Sequence, residues 1–114
     1  MLATNLSAPI SYVRGQRHRG DDQLVYEASS VIRAACRRQP RWRGAGGFYF
    51  PTPFLVDHLD DDVDLVQRVM VSADCLPRGN EWVWGRGVHP ISRVVSYAEL
   101  GDLLTSIVNT HRPL

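Results

Sequence analysis

The sequence predicts a small single-domain α+β fold, and three observations carry that prediction. The chain has 114 residues, which suits one domain with one hydrophobic core. Its hydrophobic fraction of 44% and charged fraction of 22% are ordinary for a globular protein. Amphipathic helical stripes alternate along it with short runs of strand-forming residues. We expect a folded core over residues 21–112, preceded by an N-terminal arm over residues 1–20.

The first predicted helix begins after Asp21 or Asp22, either of which suits an N-cap. Its apolar positions recur at helical spacing: Leu24, Val25, Ala28, Val31, Ile32, Ala35 and Cys36. Pro40 disfavours helical backbone at the residue before it, so we expect the helix to end near Arg38.

A strand and two helices are predicted next. GGFYF favours a strand in which Phe48 and Phe50 share one face. TPFLVDHL favours a second helix, with Thr52 as its cap and Pro53 at its first position. The aspartates 60–62 suit the cap of a third helix. Its apolar stripe is Leu65, Val66, Val69 and Met70.

The last third of the chain predicts a hairpin and a final helix. LPRGNE favours a turn, EWVWG favours a strand, and ISRVVS is its predicted hairpin partner across RGVHP. Ser96 and Glu99 have the spacing of a capping box. The apolar stripe of the helix behind them is Tyr97, Leu100, Leu103, Leu104, Ile107 and Val108. This stripe either packs on the chain's own core or pairs with a second copy in a homodimer.

This order of elements resembles a winged helix followed by one extra helix, on element order alone. In DNA-binding winged helices the third helix lies in the major groove. Here that helix reads DDDVDLVQRVMVSAD and contains one arginine, Arg68. Because its aspartates would repel DNA, the resemblance implies a fold but not the usual DNA contact.

The charge is distributed unevenly along the chain. Residues 1–50 hold eight arginines and three carboxylates, a net charge of +5, whereas residues 51–114 hold five arginines and nine carboxylates, a net charge of −4. All thirteen basic residues are arginine, which a GC-rich coding sequence would explain. Guanidinium groups nevertheless bind phosphate and carboxylate in a bidentate way and stack on planar rings.

We therefore expect an arginine-rich binding surface on the first helix and the loop behind it. Its predicted residues are Arg17, Arg19, Arg33, Arg37, Arg38, Arg41, Trp42, Arg43 and Arg86. The favoured partner is nucleic acid, because each neutralised phosphate adds to affinity. The alternatives are an acidic protein surface, bound by a small inhibitor or accessory protein, and an ordinary solvated basic face.

Trp82 and Trp84 are two residues apart, so they share one face of the predicted strand. They either cover the core or form a stacking platform or interface anchor that extends the binding surface.

The stretch RRQPRWRGAGGFYF offers one enzyme-like interpretation. RWRGAG, residues 41–46, fits the loose pattern R-x-x-G-x-G of small acyl-CoA-dependent acyltransferases, whose loop binds pyrophosphate at the start of a helix. We expect instead a helix end, an exposed loop and a strand start, because FYF favours a strand. Arg41, Trp42 and Arg43 should then point to solvent.

No catalytic, cofactor or metal site is predicted, so the sequence favours binding over catalysis. DDDVD lacks the glycine and glutamate of a calcium loop, and the four histidines lack zinc spacing. Cys36 lies on the apolar helix stripe, where a buried thiol is expected. Cys36 and Cys75 are expected to be reduced, in a cytoplasmic protein with no membrane contact.

Overall fold

A computed structural model of the chain describes residues 21–37, 46–91 and 97–113. These residues form a small α+β domain, which confirms the predicted class; the predicted arm lies outside them. The helices are α1 (Asp22–Arg37), α2 (Thr52–His58), α3 (Val63–Ser72) and α4 (Tyr97–His111). The strands are β1 (Gly47–Pro51), β2 (Leu76–Arg78), β3 (Glu81–Gly85) and β4 (His89–Pro90).

The predicted stripe of α1 supplies much of the core. Leu24, Ala28 and Ile32 are fully buried, whereas Val25 and Val31 are half-buried against the same cluster. The described helix runs to Arg37, and the residues at its predicted end, Arg38 to Pro40, lie outside the described residues. The apolar pattern therefore predicted the buried face of this helix correctly.

The caps of α2 and α3 differ in how well the sequence predicted them. The N-cap of α2 is Pro51 and not Thr52, and no side chain caps that helix. Thr52 is already helical, and its backbone N–H donates instead to the carbonyl of Asn80, at 3.1 Å. In α3 the expected cap forms, because the backbone N–H of Leu65 donates to Asp62 Oδ1 over 3.1 Å.

The four strands form one mixed sheet in the order β2-β3-β1-β4. β1 lies antiparallel to β3, with Phe48 opposite Trp84 and Phe50 opposite Trp82. Phe48 and Phe50 are fully buried, so this face of the sheet packs against the helices. The opposite face, which carries Tyr49 and Val83, is called the outer face below.

The sequence predicted the wrong hairpin partner for EWVWG. EWVWG forms β3, but its two edges are occupied by β1 and β2, which leaves none for ISRVVS. The hairpin partner is β2, joined to β3 by the turn at Gly79 and Asn80. LPRGNE is therefore a short strand and a turn. RGVHP leads into β4, which pairs in parallel with β1.

The connection from β3 to β4 has to cross the start of β1, since β1 lies between these two strands. Three residues, 86–88, make this crossing and are called the crossover. A side chain on Gly47 would lie 1.9 Å from the carbonyl oxygen of Trp84. One on Gly46 would lie 2.9 Å from Val88 Cγ2. Both glycines have φ of 104°, which glycine alone adopts readily.

The apolar stripe of α4 packs within the chain. Leu100, Leu104 and Val108 are buried in the shared core, Ile107 packs against it, and Leu103 is exposed. The stripe is therefore no longer an argument for a homodimer through this helix, which stays a prediction. The predicted cap residue Ser96 lies outside the described residues.

A close contact between α4 and α2 fixes their distance. A side chain on Gly101 would lie 2.7 Å from the His58 ring, so the glycine lets the two helices approach. The ring also lies 3.0 Å, Nδ1 to Oγ1, from Thr105 and tilts against Phe54.

Three carboxylates converge on Arg112, just after α4. Its Nε donates to Asp21 Oδ1 over 3.0 Å, and its Nη2 also pairs with Asp21. Its Nη1 lies 2.9 Å from Asp60 Oδ2 and 3.1 Å from Asp62 Oδ2. The hydrogen bond to Asp21 is the main cause that raises the pKa of Arg112. This cluster ties the C-terminal end to the start of α1 and to the turn before α3.

We predict that Gly47→Ala destabilises the domain by about 3 kcal/mol, because the new methyl group collides with the Trp84 carbonyl in a strained backbone. Gly79→Ala is the control, since Gly79 also has positive φ but nothing within 4 Å of the added atom. It should cost about 1 kcal/mol. Urea unfolding of both variants measures the difference, and equal losses would contradict the proposed close contact.

We predict that Arg112→Met destabilises the protein by about 3 kcal/mol, because it leaves the carboxylate of Asp21, 3% exposed, without its partner. Arg68→Met is the matched control. Arg68 pairs with Asp22, whose side chain is 82% exposed, so that loss should stay near 0.5 kcal/mol. Thermal unfolding monitored by circular dichroism would distinguish them; similar losses would show that burial adds nothing to the Arg112 cluster.

Candidate functional site

The described part of the chain is acidic. It contains six of the arginines and all twelve carboxylates, a formal charge of −6. The other seven arginines belong to residues 1–20, 38–45 and 92–96, which contain no carboxylate. The charge asymmetry seen in the sequence is therefore a division between the described domain and the segments around it.

Four of the six described arginines bind partners within the domain. Arg112 binds Asp21, Asp60 and Asp62. Arg68 donates from Nη2 to Asp22, whereas its Nη1 is buried without a hydrogen-bond partner among the described residues. Arg78 binds Glu81 through Nε at 2.9 Å and donates to the carbonyl of Gly87 at 3.2 Å.

Arg33, a predicted binding residue, has a structural role. Its Nη1 donates to the carbonyl of Ser72 over 2.6 Å, at the last residue of α3. A cation bound to a terminal carbonyl stabilises the negative end of a helix. Ser72 Oγ also donates to Ser29 Oγ at 3.2 Å, so this contact joins α1 to α3. The guanidinium of Arg33 is therefore already occupied.

The remaining two of the six described arginines are Arg37 and Arg86. Both side chains are exposed, and neither has an ion pair or a side-chain hydrogen bond with another described residue. Arg37 ends α1, and Arg86 begins the crossover. The backbone N–H of Arg86 donates to the carbonyl of Gly46, whose Cβ position lies 3.0 Å from Arg86 Nε. The structure thus places an unpaired arginine at each end of residues 38–45.

The other predicted arginines and one predicted aromatic residue cannot be placed. They lie outside the described residues: Arg17, Arg19, Arg38, Arg41, Trp42 and Arg43. The prediction that Arg41, Trp42 and Arg43 point to solvent therefore stays a prediction.

Trp82 and Trp84 share one face of β3, as predicted, and that face is the core. Trp82 is 9% exposed, and Trp84 is half-buried and stacks on Phe48 with ring centroids 6.0 Å apart. The first of the two predicted roles, covering the core, is the one that they fill. Trp82 offers no open ring surface on which a base can stack.

Tyr49 is the candidate that the sequence analysis missed. It lies between Phe48 and Phe50, so its side chain is on the outer face. The register sets it beside Val83 of β3 and Pro90 of β4. The alternation of FYF already contained this signal, because two core phenylalanines force the residue between them outward.

The glycine-rich stretch is followed by a strand, as predicted. The strand β1 begins at Gly47, so no helix N-terminus follows this stretch to direct backbone amides at an anion. The crossover packs directly against Gly46 and Gly47.

The described residues contain neither a spanning helix nor a metal-binding cluster. No helix within them is long and apolar enough to cross a membrane. In residues 21–37, 46–91 and 97–113 no three His, Cys, Asp or Glu side chains are grouped to hold a metal ion.

The two cysteines are buried and free. Burial raises the pKa of the Cys75 thiol to about 12 and raises the pKa of Cys36 as well, so both thiols are protonated at neutral pH. A thiolate nucleophile is thereby excluded at both positions in the folded state.

We predict that neither Cys36 nor Cys75 reacts with a chromogenic disulfide reagent at about pH 8 until the protein unfolds. An unfolded cysteine ionises near pH ~8.5, whereas the folded thiols stay protonated. Stability should therefore be fully present below about pH 8 and fall as the pH rises further. Denaturant titrations from about pH 7 to 10 measure this, and stoichiometric labelling of the native protein would contradict it.

Comparison with known proteins gives no relative: no family model, no curated protein and no solved structure matches the chain. The winged-helix resemblance accordingly stays a prediction, while the α+β class rests on the structure itself.

Proposed function

We propose that this protein is a non-enzymatic, nucleic-acid-binding protein that contacts phosphates through its arginine-rich surface. The observation that supports this best is the division of charge. Seven arginines belong to three segments without any carboxylate, and two exposed arginines of the described domain, Arg37 and Arg86, have no ion pair with another described residue. An excess of unpaired guanidinium groups next to an acidic domain suits a polyanionic ligand.

The position of Arg37 and Arg86 supports the same proposal. Arg68, Arg78 and Arg112 are each paired with a carboxylate, and Arg33 binds a backbone carbonyl. Arg37 and Arg86 are exposed, the first directly before residues 38–45 in the sequence and the second next to Gly46. These two guanidinium groups are therefore the ones in the described domain that are available to a phosphate.

A protein partner with an acidic surface is the second candidate. It is favoured by exposed apolar side chains near Arg86 and Arg78, since Leu76 is 68% and Val88 53% exposed. Interfaces combine such side chains with arginine. Strand addition to the sheet is a poor mode for it, because both edge strands contain a proline, Pro77 or Pro90.

The buried, unreactive thiols agree with a reducing compartment, so a cytoplasmic location is part of the proposal. A homodimer is not required by it.

We predict that Arg37→Gln/Arg86→Gln weakens binding of a short nucleic acid several-fold at roughly 50 mM salt, because two phosphate contacts are lost. The dependence of log affinity on log salt should become shallower by up to about 1.8 for a duplex. Replacing Arg37, Arg38, Arg41 and Arg43 together by alanine should weaken binding further without unfolding the protein. Fluorescence anisotropy of a labelled oligonucleotide measures both effects.

The matched control is Arg33→Gln/Arg68→Gln, which removes the same charge from arginines that bind Ser72 and Asp22. It should change the affinity much less. Equal effects of the two double variants would contradict the role given to Arg37 and Arg86. If the unaltered protein did not bind at low salt, the nucleic-acid proposal would be wrong.

A further inference from the structure

The outer face of the sheet carries an apolar row that crosses all four strands. The register sets Leu76 opposite Val83, Val83 opposite Tyr49, and Tyr49 beside Pro90. These four side chains are neutral and lie on the face away from the helices. Tyr49 is the aromatic member of the row and is half-buried.

The crossover packs over the outer face, and its contacts hold this surface in a fixed conformation. A side chain on Gly87 would lie 2.7 Å from Val83 Cγ1, so the crossover covers Val83 directly. Arg78 holds it there, by donating to the carbonyl of Gly87 while its Nε binds Glu81. A ligand on this face therefore meets a preformed surface, at a low cost in ordering.

Two arginines belong to the strands of the row or directly follow one: Arg78 lies in β2, and Arg86 follows β3. Glu81 is neutralised by Arg78, whereas Arg86 has no carboxylate partner among the described residues. Arg86 is also next to Gly46, where the arginine-containing residues 38–45 end. Single-stranded nucleic acid is held by proteins that combine an aromatic ring, on which a base stacks, with a cationic group that pairs with the phosphate. Tyr49 supplies such a ring on the sheet, and Arg86, which directly follows β3, supplies such a cation.

We propose that the outer face of the sheet binds single-stranded nucleic acid, with a base stacked on Tyr49 and a phosphate bound by Arg86. This inference rests on the proposed nucleic-acid function and adds the form of the ligand to it. A duplex keeps its bases stacked inside, so its bases have no access to the ring on this flat face. The protein therefore prefers a single strand to a duplex of the same length.

The test compares Tyr49→Leu, Tyr49→Phe and Tyr26→Leu with the unaltered chain. Leucine keeps an apolar side chain on the sheet but removes the ring, whereas phenylalanine keeps the ring. Tyr26 is the control, because it is 61% exposed on α1, away from the sheet. Anisotropy of a labelled oligothymidine of about 15 nucleotides, and of a duplex of equal length, is measured at low salt.

We expect Tyr49→Leu to lose about tenfold in affinity for the single strand and little for the duplex. Tyr49→Phe and Tyr26→Leu should bind as the unaltered protein does. If Tyr49→Leu retains full single-strand affinity, or the duplex binds more tightly, the inference about the outer face is wrong while the proposed function stands. If the unaltered chain binds neither ligand, the proposed function itself is wrong.

A second measurement uses the unaltered protein, so it does not depend on a variant that folds. An oligonucleotide containing 5-iodouracil is photo-crosslinked to the protein, and the crosslinked peptide is identified by mass spectrometry. We expect crosslinks at Tyr49, the ring proposed to stack on the base. Crosslinks confined to peptides that exclude β1 would overturn the inference.

Discussion

The sheet depends on one close backbone contact, the passage of the crossover over the start of β1. Three residues join β3 to β4 across an intervening strand, which is possible only where that strand carries no side chain. The crossover lies against both glycines, because Arg86 N is 3.0 Å from the Cβ position of Gly47 and Val88 Cγ2 is 2.9 Å from that of Gly46. Gly47 is also in close contact with β3, since its Cβ position lies 1.9 Å from the Trp84 carbonyl oxygen.

At another part of the fold, the Arg112 cluster holds separate elements together. Asp21 precedes α1 and Arg112 follows α4, so the two ends of the described chain are held by one buried ion pair. Asp60, at φ of 63°, joins it from the turn between α2 and α3. Aspartate tolerates this left-handed backbone better than most residues, which lets the turn direct a carboxylate at the guanidinium. One side chain thereby connects three elements.

The sequence predicted those elements whose pattern is local and repeated. α1, α3 and α4 show an apolar stripe over several turns, and the alternation of FYF placed two phenylalanines in the core. β2 could not be predicted in this way. Its three residues are all exposed and include a proline, so neither burial nor propensity marks them as a strand. Its pairing depends on β3 and the turn at Gly79.

The candidate site was predictable in its composition but not in its geometry. Clustered arginines in a sequence indicate a basic surface, yet four of the six described guanidinium groups bind internal partners. Arg112 and Asp21 are 91 positions apart, and no local pattern reports such a pair. Arg33 and Arg37 lie one helical turn apart on α1. Only the packing of α3 against α1 decides which of the two binds the last carbonyl of α3. The sequence alone could not distinguish structural from available arginines.

The distribution of the carboxylates also limits how a polyanion can approach. α3 has Asp62 as its N-cap and Asp64 in its first turn, and its one arginine is paired with Asp22, so this helix presents little positive charge. The helix that enters the groove in DNA-binding winged helices would therefore repel phosphates here. Within the four described strands the one carboxylate, Glu81, is paired with Arg78. For the proposed nucleic-acid ligand the sheet is therefore better suited than α3.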